Sequence, residues 1–230
     1  MSGAHPSTST KRIECTFGFI DLEGFTTLTE AKGDEGAARI ATKFARLTQS
    51  VLGPGDRLVK TLGDAVLVTS PDAASGIALV ERLLTEAAAD VRMPSLRAGL
   101  HHGSAVEKDG DVFGAAVNLA ARVAAEAHAG EVLGTESIAA AARTVGIPVA
   151  ELGAVSLKNV RGKIELFQLA LVVGVTETPV DPVCRTQVDR RTAVGRLSYG
   201  AVDYWFCSLT CAAAFASNPA WHAEAESTRK

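Results

Sequence analysis

The feature that most constrains the fold is a hydrophobic period that switches repeatedly between residues 13 and 172. Ile13–Ile20 has the apolar, β-branched and aromatic content of a strand, whereas Asp34–Val51 carries its apolar residues at helical spacing. Leu58–Leu62 and Ala65–Thr69 flank Gly63-Asp64, a two-residue hairpin signal. Ser70-Pro71 offers an N-cap and an early proline for a helix reaching about Asp90. Leu96–His101 is strand-like again, and Ala115–His128 is an Ala-rich helix stopped by Gly130. Two or three short strands follow, Ile164–Val172 among them. Strand, helix, hairpin, helix, strand in that order implies an α+β fold, a ferredoxin-like sandwich with helices on one face of a mainly antiparallel sheet.

Two carboxylates sit at distinctive places in this pattern. Asp21 ends the apolar run Phe17-Gly18-Phe19-Ile20 and is followed by Leu22-Glu23-Gly24-Phe25-Thr26, a tight turn into a helix start. Such a turn aims backbone N–H groups and a positive dipole end at an anion. Asp64 lies in the hairpin turn of Lys60-Thr61-Leu62-Gly63-Asp64-Ala65. Together the two acids can hold Mg²⁺ against a polyphosphate. A lone Asp at a turn caps the turn; it is the pair that points to nucleotide chemistry.

Composition narrows the partners. A net charge of −3 gives no electrostatic reason to expect nucleic acid or an anionic membrane. No apolar stretch approaches the ~20 residues of a membrane-spanning helix. The Ser/Thr-rich start lacks the apolar centre of a secretion signal. A cytoplasmic protein is expected, with residues 1–12 as a disordered lead-in. Beyond 173 the texture changes: 174–180 reads as a linker, 181–222 as a small cysteine-bearing module and 223–230 as a tail. Cys15 stands alone in a strand, whereas Cys184, Cys207 and Cys211 cluster, which in a reducing compartment suggests a metal site over a disulfide framework.

Further phrases complete a pattern: Arg97-Ala98-Gly99-Leu100-His101-His102-Gly103, Asp111-Val112-Phe113-Gly114, Asn118-Leu119-Ala120-Ala121-Arg122 and Leu157-Lys158-Asn159-Val160-Arg161-Gly162. In this order they resemble the catalytic domain of class III adenylyl and guanylyl cyclases, over 13–173. The resemblance implies that Asp21 and Asp64, with the backbone carbonyl of Ile20, hold two Mg²⁺ or Mn²⁺ ions. It implies that Asn118 and Arg122, one helical turn apart, orient the ribose and clamp the α-phosphoryl oxygens. Lys60 and Asp111 match the base-selecting pair of the adenylyl branch. A Lys donor and an Asp acceptor satisfy adenine, whose pattern guanine reverses. Gly24, Phe25 and Thr26 are expected at the triphosphate, as is one of Lys158 and Arg161. His101 and His102 are expected to be structural. Because family sites are shared between two domains, the resemblance implies a head-to-tail homodimer with two equivalent sites.

At the C-terminus, Asp181-Pro182-Val183-Cys184, Tyr204-Trp205-Phe206-Cys207-Ser208 and Cys211 resemble the YHS family of small metal-binding modules. Arg185-Thr186 departs from that family's usual Gly-Met. A hairpin including Ser198–Phe206 and a helix from Ser208 to Ala216 are expected. Soft thiolates suit Zn²⁺ or Cu⁺, with His222 or Asp181 open as the fourth ligand. The expected activity is formation of cyclic AMP from ATP. The alternatives are a guanylyl cyclase and a non-catalytic nucleotide or metal sensor on the same scaffold.

Overall fold

A computed structural model describes residues 10–90, 92–171, 179–200 and 202–227. Most of the expected lead-in and linker lie outside the described residues. The elements run β1 (Lys11–Leu22), α1 (Phe25–Ser50), β2 (Arg57–Leu62), β3 (Ala65–Ser70), α2 (Ala73–Ala88), β4 (Leu96–Lys108), β5 (Asp111–Phe113) and α3 (Ala115–Glu126). They continue with β6 (Val132–Gly134), α4 (Glu136–Thr144), β7 (Val149–Val155), β8 (Ile164–Leu169), β9 (Gly195–Tyr199), β10 (Val202–Phe206), α5 (Leu209–Ser217) and α6 (Pro219–Ser227). Two compact units result. The first holds the described residues through Asp21, Val51–Glu81 and Arg97–Leu171; the second holds Leu22–Ser50, Arg82–Leu96 and the described residues after 178.

The first unit is built on a sheet in the order β2-β3-β1-β4-β6-β8-β7, with β5 paired to β4. Its pairings are antiparallel at β1/β3, β2/β3, β4/β5, β6/β8 and β7/β8, and parallel at β4/β6. The α+β class is therefore as expected. Phe17 and Leu67 are fully buried and pack with Val112, Ala116, Val117 and Ala120, which joins β1, β3 and α3 in one core. Phe17→Ala would cost about 3–5 kcal/mol. Gly99 lets β4 and α3 approach: a Cβ there would lie 2.0 Å from the Ala124 amide nitrogen. The β1/β3 register pairs Ile20 with Val66 and Asp21 with Ala65, which puts Asp21 beside the Gly63-Asp64 turn.

Three local expectations need correction. Ser70 is the buried last residue of β3 and does not cap α2. Asp72 does so, its Oδ1 accepting from the Ser75 amide at 2.8 Å. Helix α1 starts at Phe25, not Asp34, because a helical segment precedes a break at Gly33 (φ 71, ψ 166). Helix α6 occupies much of the expected tail, opening on Pro219, whose fixed φ suits a first helical position.

In the second unit, β9 and β10 form the expected hairpin, and Ser208 caps α5 by accepting from the Cys211 amide. Val183, Cys184, Tyr204, Phe206, Cys211 and Phe215 form its buried cluster, against which Ala31 of α1 packs. Among the described residues, no helix is long and apolar enough to cross a membrane.

Candidate active site

The strand ends of the first unit gather charge. Asp64 is half-buried, and its carboxyl is raised above the ordinary range by burial and then by the Asp21 charge, with Arg97 opposing. A carboxyl raised by a neighbouring carboxylate marks a place that a divalent cation can neutralise. Their oxygens are the hard donors that Mg²⁺ and Mn²⁺ prefer, so the residues fit the ions. Arg97 holds Asp21 in place: its Nε and Nη2 donate to Asp21 Oδ2 at 3.0 and 2.6 Å, and Nη1 donates to the Ala127 carbonyl at 3.3 Å. Arg97 stands in the Arg97–Gly103 phrase, which implies no role for it.

Lys60 and Asp111, far apart in sequence, come together. Lys60 Nζ donates to both Asp111 carboxylate oxygens at 2.7 Å. Donation by Lys60, and then by the Val112 amide, holds the Asp111 carboxyl below its usual range. The ammonium also lies 5.8 Å from the Phe113 ring centroid. The pair is only partly covered, with side chains 35% and 33% exposed, so it can open to a ligand.

Asn118 is exposed and Arg122 half-buried on α3, where Val117, Ala120 and Val123 face the core. Their four-residue spacing puts both on one side of the helix. Lys158 and Arg161 are both exposed, on the connection between β7 and β8. Gly24, with φ 72, precedes α1, and Phe25 and Thr26 form its first turn. His101 Nδ1 lies 2.8 Å from Thr135 Oγ1, and His102 Nδ1 lies 3.0 Å from Thr16 Oγ1. Burial, then the neighbouring His102, lowers the His101 ring below the ordinary histidine range. Cys15 is a buried core thiol pushed up to about 11, chiefly by burial.

The second unit contains a different cluster. Ligand atoms of Asp181, Cys184, Cys207 and Cys211 all lie within 4.8 Å of one another. Cys184 and Cys207 sulfurs are 3.3 Å apart, and Cys207 and Cys211 sulfurs 3.9 Å. These separations exceed a disulfide bond of about 2.05 Å. They bracket the edge of about 3.8 Å expected for a tetrahedron of Zn–S bonds. This group can hold a metal ion. Asp181 organises it: Oδ1 accepts from the Val183 and Cys184 amides, and Oδ2 from the Cys207 amide at 2.8 Å. Burial, more than any neighbour, raises the Asp181 carboxyl. Hydrogen bonds from Cys207, then Cys211, hold the Cys184 thiol well below its ordinary range. His222, the other candidate for a fourth ligand, is not in the group; its ring lies 6.0 Å from that of Phe215.

A model of the adenylate and guanylate cyclase catalytic domain matches residues 8–171. The chain is 35% identical over 160 residues to a pH-sensitive adenylate cyclase of Mycobacterium tuberculosis, which covers 68% of this chain and 40% of that protein. It is 40% identical over 107 residues to an adenylate cyclase of Streptomyces coelicolor, covering 46% and 28%. The chain thus spans less than half the length of these relatives. The adenylyl cyclase CyaB of P. aeruginosa superimposes with a TM-score of 0.61 at 22% identity, over 70% of this chain and 96% of that one. The guanylate cyclase domain of RhGC from Catenaria anguillulae, solved with GTP, gives a TM-score of 0.62 at 18% identity, over 70% and 98%. At such identities the two structures speak to the fold alone.

Proposed function

The chain belongs to the adenylate and guanylate cyclase catalytic domain family, and we propose on that premise that it converts ATP to 3′,5′-cyclic AMP and pyrophosphate at a homodimer interface. One observation carries the proposal: Asp21 and Asp64 converge at paired strand ends, where burial and the Asp21 charge raise the Asp64 carboxyl, a strain that a cation would relieve.

In the proposed reaction the ribose 3′-oxygen attacks the α-phosphorus as the bond to the β-phosphate breaks. The hydroxyl proton is lost and pyrophosphate departs. Bound by Asp21, Asp64 and the Ile20 carbonyl, two Mg²⁺ or Mn²⁺ ions would supply a lower 3′-hydroxyl pKa and neutralise the triphosphate. Arg122 clamps the α-phosphoryl oxygens as their charge builds, and Asn118 orients the ribose. Lys60 donates to the adenine ring nitrogen while Asp111 accepts from its exocyclic amine. Arg97, already beside the acids, has the guanidinium fork that suits a phosphate. First-turn amides at Gly24, Phe25 and Thr26, with Lys158 or Arg161, complete the triphosphate contacts.

Spacing supports a composite site. Arg97 ties Asp21 to Ala127, at the C-terminal end of α3. Asn118 lies nine residues upstream of Ala127, about 13 Å along a helix axis. A head-to-tail partner brings its own Asn118 and Arg122 to the acids that this protomer supplies. For the thiolate cluster we propose Zn²⁺ or Cu⁺ in a small module of the YHS type.

The test is turnover of ATP and GTP by the purified chain, with Asp64→Ala as control and protein concentration varied. The expected outcome is preference for ATP and specific activity that falls on dilution. Preference for GTP would favour the guanylyl reading. Wild-type turnover no greater than the control's would favour a non-catalytic sensor.

A further inference from the structure

Helix α1 is not one rod. The break at Gly33 sets off Phe25–Lys32 as a separate eight-residue helix. Glycines in left-handed conformations bracket it, Gly24 at φ 72 and Gly33 at φ 71. Such positions swivel readily, because no side chain restricts them. A free helix this short cannot hold itself: isolated helices below about 12–15 residues are marginal in water. Its order must come from what grips it.

Both ends are gripped by the thiolate module. At the far end, Lys32 Nζ donates to Cys207 Sγ at 3.5 Å, and Ala31 packs on the cluster of Cys184, Tyr204, Phe206, Cys211 and Phe215. At the near end, the side chain of Arg185, the residue after Cys184, covers Gly24 so closely that a Cβ would lie 2.3 Å from Arg185 Cγ. Lys32 and Gly24 are thus held by a ligand of the thiolate site and by the residue next to one. Only three residues, Leu22, Glu23 and Gly24, join Asp21 to the start of the segment.

We propose that an ion in the Cys184/Cys207/Cys211 site fixes helix 25–32 through Lys32, making this segment the route by which a thiophilic metal, Zn²⁺ or Cu⁺, controls the loop after Asp21. The inference rests on reading the thiolates as a metal site. A bound ion locks Cys207 into a ligand shell whose charge a neighbouring ammonium complements, as outer partners of metal thiolates do. Emptying the site frees Cys207 and removes the anchor for Lys32. The eight-residue helix then loses its C-terminal hold and frays toward Gly24. Lys32 is a positioning residue here; it touches no reacting atom.

The experiment uses the full chain, reduced and stripped of metal, as wild type, Lys32→Met and Lys32→Arg. Co²⁺ is titrated and followed by thiolate-to-cobalt charge-transfer absorption. Amide hydrogen exchange across 25–33 is then measured with and without Zn²⁺. In the wild type Zn²⁺ should slow exchange in the segment tenfold or more. Lys32→Met should develop the same cobalt band yet lose most of that protection, and Lys32→Arg should restore it. A cobalt band with Zn²⁺-independent exchange would overturn the coupling while leaving the metal site standing, as would full protection in Lys32→Met. Absence of the band in the wild type would overturn the metal reading and the coupling together.

Discussion

The two clusters, Asp21/Asp64 in one unit and Asp181/Cys184/Cys207/Cys211 in the other, offer a cation opposite donor sets. The acids are hard oxygen donors, half-covered, at strand ends, with Arg97 as counter-ion. The thiols Cys184 and Cys211 are buried, and a carboxylate orders them by accepting three backbone amides. An open set of hard donors leaves coordination positions for substrate; a closed set of soft ones holds its ion for structure or sensing. On the proposed reading, one chain separates a reacting metal site from a resident one by donor chemistry and burial.

The sharpest break of that contrast is chemical. Asp64→Ala or Arg122→Ala should lower kcat by at least about 10²–10³, whereas Cys211→Ser, which acts only through the 25–32 segment, should cost far less. Steady-state kinetics at saturating Mg²⁺ decides this. Specificity comes next: Lys60→Glu combined with Asp111→Cys should shift the ATP/GTP ratio of kcat/KM by about tenfold or more toward GTP. A ratio that stays put would remove base selection from this pair.

A stability effect should separate the clusters again. Cys184→Ser should abolish cobalt charge transfer and lower Tm of the Zn²⁺-loaded chain by about 5 °C. The acids should behave the other way. Because burial and the Asp21 charge raise the Asp64 carboxyl, its contribution to stability is fully present below the ordinary Asp range and is lost as pH rises through the raised value. The ion-free chain should therefore weaken slightly across that window, with Mg²⁺ reversing the loss. Asp64→Asn should raise the ion-free Tm at neutral pH by about 1–2 °C while abolishing turnover. Calorimetry with and without Mg²⁺ reads both effects; a lower Tm for Asp64→Asn would contradict the like-charge account.

Much of the fold was legible because its signals are local. The apolar run through Ile20, the Gly63-Asp64 hairpin and the Ala-rich helix bearing Asn118 and Arg122 each show their period in a few residues. Phe25–Lys32 was missed because Gly33 interrupts the helical period and because tertiary packing, not propensity, orders so short a segment. Ser70 misled for a related reason: a good capping residue is also a tolerable strand end, and burial decided in favour of β3. Among site residues, the junction of Lys60 with Asp111 required only the family pattern. The Arg97 bridge from Asp21 to Ala127 and the Lys32 contact to Cys207 depend on long-range pairing that no spacing encodes.

In the proposed dimer each pocket draws its acids from one protomer and its arginine from the other. Asp64→Ala and Arg122→Ala proteins, each nearly inactive alone, should be mixed under conditions shown to exchange subunits. The account predicts turnover near a quarter of wild type, since about half the dimers carry one intact pocket of two. No recovery despite demonstrated mixed dimers would contradict it.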